Sequence, residues 1–188
     1  QEDFQIFAAF NNREIGGVMD LIEAHKGINA LNEWGQTLLM MAVQNNQIDV
    51  VSALLNTRRP RVDINTAKSN GFSAIFYAVQ TGSPEVLSAL LRRGAEPNSI
   101  ALQEGSKGNT PLHFACMLAR TKHAGLLLEY GANPVAANEF GMTPLQLLPV
   151  EEGRSTKMYF KKMFEEASAR ISKEQLRLNA MDGPRADL

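Results

Sequence analysis

Cysteine is almost missing from this chain. Cys116 is the one thiol in 188 residues, so no intramolecular disulfide framework can hold the fold. An excess of charge is missing too: 19 basic and 20 acidic side chains leave a net charge of −1, and no global field draws the chain onto nucleic acid or an anionic membrane. No apolar run approaches the roughly 18 residues that a membrane-spanning helix needs, so membrane insertion is not expected. The three histidines, His25, His113 and His123, have no cysteine or second histidine at metal-ligand spacing. The phosphate-binding GxxxxGK[ST] and the nucleophile elbow GxSxG are both absent. Gly105-Ser-Lys-Gly108 is a loop tip with one lysine and a poor phosphate cradle. Carboxylate pairs such as Glu151-Glu152 and Glu165-Glu166 read as solvated charges. These absences argue against an enzyme within this span, and no cofactor or metal is expected. Cys116 stands beside Ala115 in an apolar stretch and reads as a buried, inert thiol. A reducing, intracellular setting is expected, cytoplasmic before nuclear. Gln1 is not a start methionine, which fits a piece of something longer.

What the chain does have is a returning phrase: Thr37-Leu-Leu-Met-Met-Ala42, Ser73-Ala-Ile-Phe-Tyr-Ala78, Thr110-Pro-Leu-His-Phe-Ala115 and Thr143-Pro-Leu-Gln-Leu-Leu148. Successive phrases lie 36, 37 and 33 residues apart, the mark of a stacked repeat with small insertions. The first three are followed at matching distance by Ala53-Leu-Leu55, Ala89-Leu-Leu91 and Leu126-Leu-Leu128. Val50, Val51, Leu54 and Leu55 form the stripe of a helix facing a core. Thr110 followed by Pro111 suits a helix start, since a threonine can cap and proline lacks only an amide that would be orphaned there. Ser83-Pro84-Glu85 reads as another such start, with a helix over about Pro84–Arg93, and Gly94 and Gly131 suit left-handed helix ends.

The chain resembles the ankyrin-repeat family, whose unit is a β-turn followed by two antiparallel helices. The family's Thr-Pro-Leu-His-x-Ala is complete at 110–115, and 143–148 keeps Thr143, Pro144 and Leu145. The resemblance implies a mainly α solenoid of about five helix-pair units with hairpin or turn tips: 4–31, 32–67, 68–104, 105–137 and 138–171. Pro149 should stop the last unit's first helix early. A longer amphipathic helix from Ser155, with Phe160, Met163, Phe164, Ala167 and Ile171 on one side, then closes the array, or docks a partner. Residues 172–188 read as the helix end and a tail. His113 is implied to bond across loops.

In this family, hairpin tips and the outward residues of the first helices commonly contact partners. The expected function is therefore non-catalytic binding of a peptide or helix segment of another protein, with the chain itself monomeric. Before and after the turn glycines stand Trp34, Lys107 and Phe140, and Phe72 and Met142. Large apolar groups left wet there are costly unless they fold back on a neighbouring hairpin or meet a partner. Gln80, Met117 and Leu118 face outward on first helices, the last two open or covered by the long connection at 99–109. Arg58-Arg59-Pro60-Arg61 forms a basic loop: a solvated turn, a localisation patch or a site for acidic or phosphorylated ligands. It lacks interleaved aromatics, so nucleic acid is not expected. A regulatory or targeting domain of a larger enzyme is the rival reading.

Overall fold

A computed structural model describes residues 4–81 and 83–181, with side chains described as far as Leu178. Helices α1 (Gln5–Asn11) and α2 (Ile15–Glu23), α3 (Leu38–Gln44) and α4 (Ile48–Asn56), α5 (Ala74–Thr81) and α6 (Pro84–Arg92), and α7 (Pro111–Met117) and α8 (Thr121–Glu129) are consecutive pairs. A 3-10 turn at Pro144–Leu147 and the long helix α9 (Arg154–Met181) complete the order. No strand occurs among the described residues, so the tips are turns and not ladders.

The helices stack in two layers. Helices α3, α5, α7 and the 3-10 turn pack in sequence in one, and α2, α4, α6, α8 and α9 in the other. Each phrase explains its layer. Thr37 caps α3 by accepting the Met40 amide at 3.2 Å, and Pro111 starts α7 where no amide partner is needed. Ala42, Ala78 and Ala115 have no exposed surface, because larger side chains would hold neighbouring first helices apart. Val50, Leu54, Leu87, Leu90 and Leu127 fill the space between layers. Burial there removes about 2 kcal/mol worth of apolar surface from water per side chain.

Some expectations shift. Pro84 opens α6, but the Ser83 hydroxyl makes no cap bond. Pro149 does stop the fifth unit's first helix, leaving one 3-10 turn. Helix α9 occupies the second-helix position of that unit, burying Phe160, Phe164 and Ala167. Ile171 does not join this stripe; it is exposed, as is every residue from 169 to 178. The Arg170 guanidinium donates to the Leu128 carbonyl at 2.6 Å, and beyond it the helix leaves the array without a break at 171. The expected tail falls partly on 182–188, outside the described residues.

Candidate partner-binding surface

The turn tips come first in the chain of construction. Asn32, Lys68, Ala101 and Asn138 donate their amides to the carbonyls of Gln36, Phe72, Asn109 and Met142, closing four loops. Left-handed Gly35, Gly71, Gly108 and Gly141 lie inside them. Neighbouring tips join through main chain: Leu102 N–H reaches Asn70 O at 2.8 Å and Glu139 N–H reaches Lys107 O at 3.1 Å.

On this frame Trp34 and Phe140 stand out, 60% and 63% exposed, and neither pairs with another ring among the described residues. Lys107 is exposed and pairs with Glu139 of the next tip at 3.3 Å. Met117 and Leu118 remain 42% and 47% exposed, although Asn109 at the end of the 99–109 connection reaches the Met117 sulfur with Nδ2 at 4.0 Å. Gln80 is exposed, its carbonyl accepting from Arg120 at 3.3 Å.

Phe72 corrects the expected set. It is 8% exposed and stacks on Phe76 at 4.8 Å, with Phe114 edge-on at 5.5 Å. The position after the turn glycine leads straight into the first helix and faces inward. Asn109 is buried at the same position and Met142 is half-buried, its carbonyl receiving His113. The inward tendency also explains why a polar residue could sit there, since Asn109 accepts from Asn138 Nδ2 at 2.7 Å.

His113, Cys116 and His123 are buried titratable groups, and their surroundings are those of the core. His113 Nδ1 accepts the Thr110 amide at 3.0 Å, which leaves Nε2–H to donate to Met142 O at 3.0 Å across to the next unit. Burial holds its pKa below the ordinary value, against the pull of the Met142 carbonyl. Burial pushes the Cys116 thiol up to about 12, so it is no nucleophile. Burial, with Arg120 nearby, brings His123 down to about 4. No group of three His, Cys, Asp or Glu among the described residues is placed to hold a metal. No helix among them is long and apolar enough to cross a membrane.

A family model for ankyrin repeats in three copies matches residues 6–101, and one for a single ankyrin repeat matches 107–139. The chain belongs to the ankyrin-repeat family. It is 33% identical over 121 residues to nuclear factor NF-kappa-B p105 subunit of Mus musculus, covering 64% of this chain and 12% of that protein. It is 30% identical over 126 residues to B-cell lymphoma 3 protein homolog of Mus musculus, covering 66% and 28%. Against the mitochondrial disaggregase of Bos taurus it is 30% identical over 145 residues, covering 77% and 21%. The chain thus spans less than a third of each of these proteins, and the aligned stretch is in each case a minor part.

Ankyrin arrays are generally protein-interaction modules, and the exposed tips are where this one departs from a uniformly polar rim. Residue-level reading missed Ile100 and Leu102, both exposed in the long connection beside the Asn70 tip. It also missed Arg92 and Arg93. They follow Arg58 and Arg59 by 34 residues, close to one repeat period, so aligning the units would have brought the four together.

Proposed function

We propose that this ankyrin array binds a segment of another protein along its tips, with Trp34 and Phe140 as the aromatic anchors and Met117 and Leu118 as an apolar step on the first-helix layer. The observation that carries the reading is the pair of aromatic side chains left open at equivalent tip positions. Water around such rings is released on docking, and aromatic anchors dominate interface energies, each about 2 kcal/mol or more on truncation. Lys107, Gln80 and Met142 supply polar and half-buried margins to the same surface. The binding is non-catalytic.

The test compares Trp34→Ala/Phe140→Ala with the parent in quantitative capture of partners from native lysate. Capture should fall by at least about tenfold, consistent with the loss of an aromatic anchor, while the melting temperature stays within a degree or so. Phe72→Ala is the control for a buried ring: it should cost about 3 kcal/mol of stability through the cavity it leaves. Equal capture by the double variant and the parent would refute a tip-centred surface.

A further inference from the structure

Helix α4 ends differently from α6 and α8. The latter two close on left-handed Gly94 and Gly131, whereas Thr57 after α4 is extended at φ −59° and ψ 134°. The chain therefore leaves the helix outward and inserts Arg58, Arg59 and Arg61 before rejoining the repeat. One unit on, α6 ends at Arg92 and Arg93, and Arg93 donates to Asn56 Oδ1 at 2.7 Å. That bond draws the two helix ends together. Between them lies a cleft of about 660 Å³ walled by these five arginines, with Leu55, Val62 and Ile64 along its apolar side.

No aspartate or glutamate lines the cleft, and none of the five arginines has an ion pair among the described residues. The nearest carboxylates in sequence are engaged as caps: Asp63 accepts the Asn65 amide at 3.2 Å and Glu96 accepts the Asn98 amide at 3.2 Å. The C-termini of α4 and α6 together offset roughly one positive charge of the five through their dipoles. The five guanidinia still make the cleft a cationic cluster in a protein whose net charge is −1. Every cation of the cleft is arginine, whose planar fork meets two oxygens of one anion at once.

We propose that this cleft binds a phosphorylated side chain carried by an extended segment of a partner protein. A phosphoserine brings close to two negative charges and three acceptor oxygens, enough to engage guanidinia from both walls. The cleft is far larger than one phosphate, and Leu55, Val62 and Ile64 give the residues beside the phosphate an apolar seat. No aromatic side chain lines it, so the bases of a single-stranded nucleic acid have nothing to stack on. None of the exposed large apolar side chains lies in it, so it lacks the anchors of a bilayer-binding surface. The tips contribute nothing to the cleft, and the proposal stands apart from the tip reading.

The test uses the intact chain and two bead-bound nonapeptide libraries, random except for a central phosphoserine or serine. Retention on phosphoserine beads should exceed that on serine beads by at least about tenfold, the scale of a charge-assisted bidentate contact. Arg58→Ala/Arg59→Ala and, separately, Arg92→Ala should each abolish most of the difference at unchanged melting temperature. Trp34→Ala/Phe140→Ala should keep it, which separates failure here from failure at the tips. Equal retention on the two libraries overturns the proposal. So does tighter binding to oligothymidylate or to phosphatidylserine vesicles than to the phosphoserine pool, and so does full retention by either arginine variant.

Discussion

At the tips, main-chain amides fasten one unit to the next: Leu102 N–H to Asn70 O, and Glu139 N–H to Lys107 O. In the loops that leave the second helices, asparagine side chains do the fastening. Asn29 holds Arg61 O and the Asp63 amide, Asn65 holds Gly94 O and the Glu96 amide, and Asn98 holds Gly131 O and the Asn133 amide, all at 2.8–3.0 Å. Backbone bonds leave side chains free to vary, so the tips carry Trp34, Asn70, Lys107 and Phe140 at one position. Side-chain bonds fix the residue type, so the helix-exit loops repeat asparagine and diversify only by insertion, as at Arg58–Arg61. The two regions therefore offer different chemistry, apolar and aromatic at the tips and cationic at the exits.

The largest expected effect tests whether the tips truly depend on close backbone approach. A Cβ on Gly71 would lie 2.5 Å from Ile100 O and 2.9 Å from Leu102 N, at φ +81°. One on Gly141 would meet nothing within 4 Å, at φ +71°. Gly71→Ala should cost about 3 kcal/mol or more, whereas Gly141→Ala should show only the left-handed backbone cost of about 1 kcal/mol. Urea midpoints of the two variants decide it; equal losses would mean that main-chain contact between tips is not what holds them.

A middle-sized effect separates the regions by pH. The exit loops are held by asparagine, which does not titrate, while His113 ties α7 to the fifth unit's tip at Met142 and must be neutral to accept the Thr110 amide. His123, buried beside Arg120 and Glu85, is also held neutral. Both folded pKa values lie below the unfolded one of about 6.5, so the unfolded chain binds more protons in acid. The stabilising contribution is complete above pH 6.5 and is lost as pH falls toward about 4, the His123 value. A loss on the order of 2 kcal/mol is expected across that window. His113→Gln should flatten part of it, since Gln146 serves the equivalent Thr143 amide at 2.8 Å without titrating. A pH profile unchanged in that variant would remove His113 from the account.

Much of this is legible in the sequence, because the signals are local. The period, the Thr-Pro starts and the leucine stripes place α3 to α8, and α6 spans Pro84–Arg92 against an expected end at Arg93. Pro149 shows where a helix must stop. The misreadings came where burial depends on a neighbouring unit. Phe72 looked like Trp34, one residue to the other side of a turn glycine, but only the Phe76 and Phe114 rings make that position a core site. Ile171 continues the α9 stripe in sequence, yet α9 reaches the end of α8 at Arg170, which bonds Leu128 O, and Ile171 beyond it is exposed. The cleft lies beyond a reading of loops one at a time, since Arg92 and Arg93 of its wall come from the next unit.

The smallest effect joins the two regions' chemistry to stability. Asn29 and Asn98 make the same pair of bonds, but Asn29 grips the chain at Arg61 and Asp63, at the end of the basic insertion and just past it, while Asn98 grips Gly131 and Asn133 far from it. Both asparagines are exposed, so water can replace their bonds, and Asn29→Ala and Asn98→Ala should each cost only about 1 kcal/mol. Their effects on anion recognition should diverge. Loosening Arg61 costs the cleft its preorganised wall, so Asn29→Ala should lose several-fold in phosphoserine-bead retention, and Asn98→Ala should lose none. Equal retention in the two variants would mean that the insertion needs no anchoring to present its arginines, and the link drawn between the asparagine series and the cleft would fall.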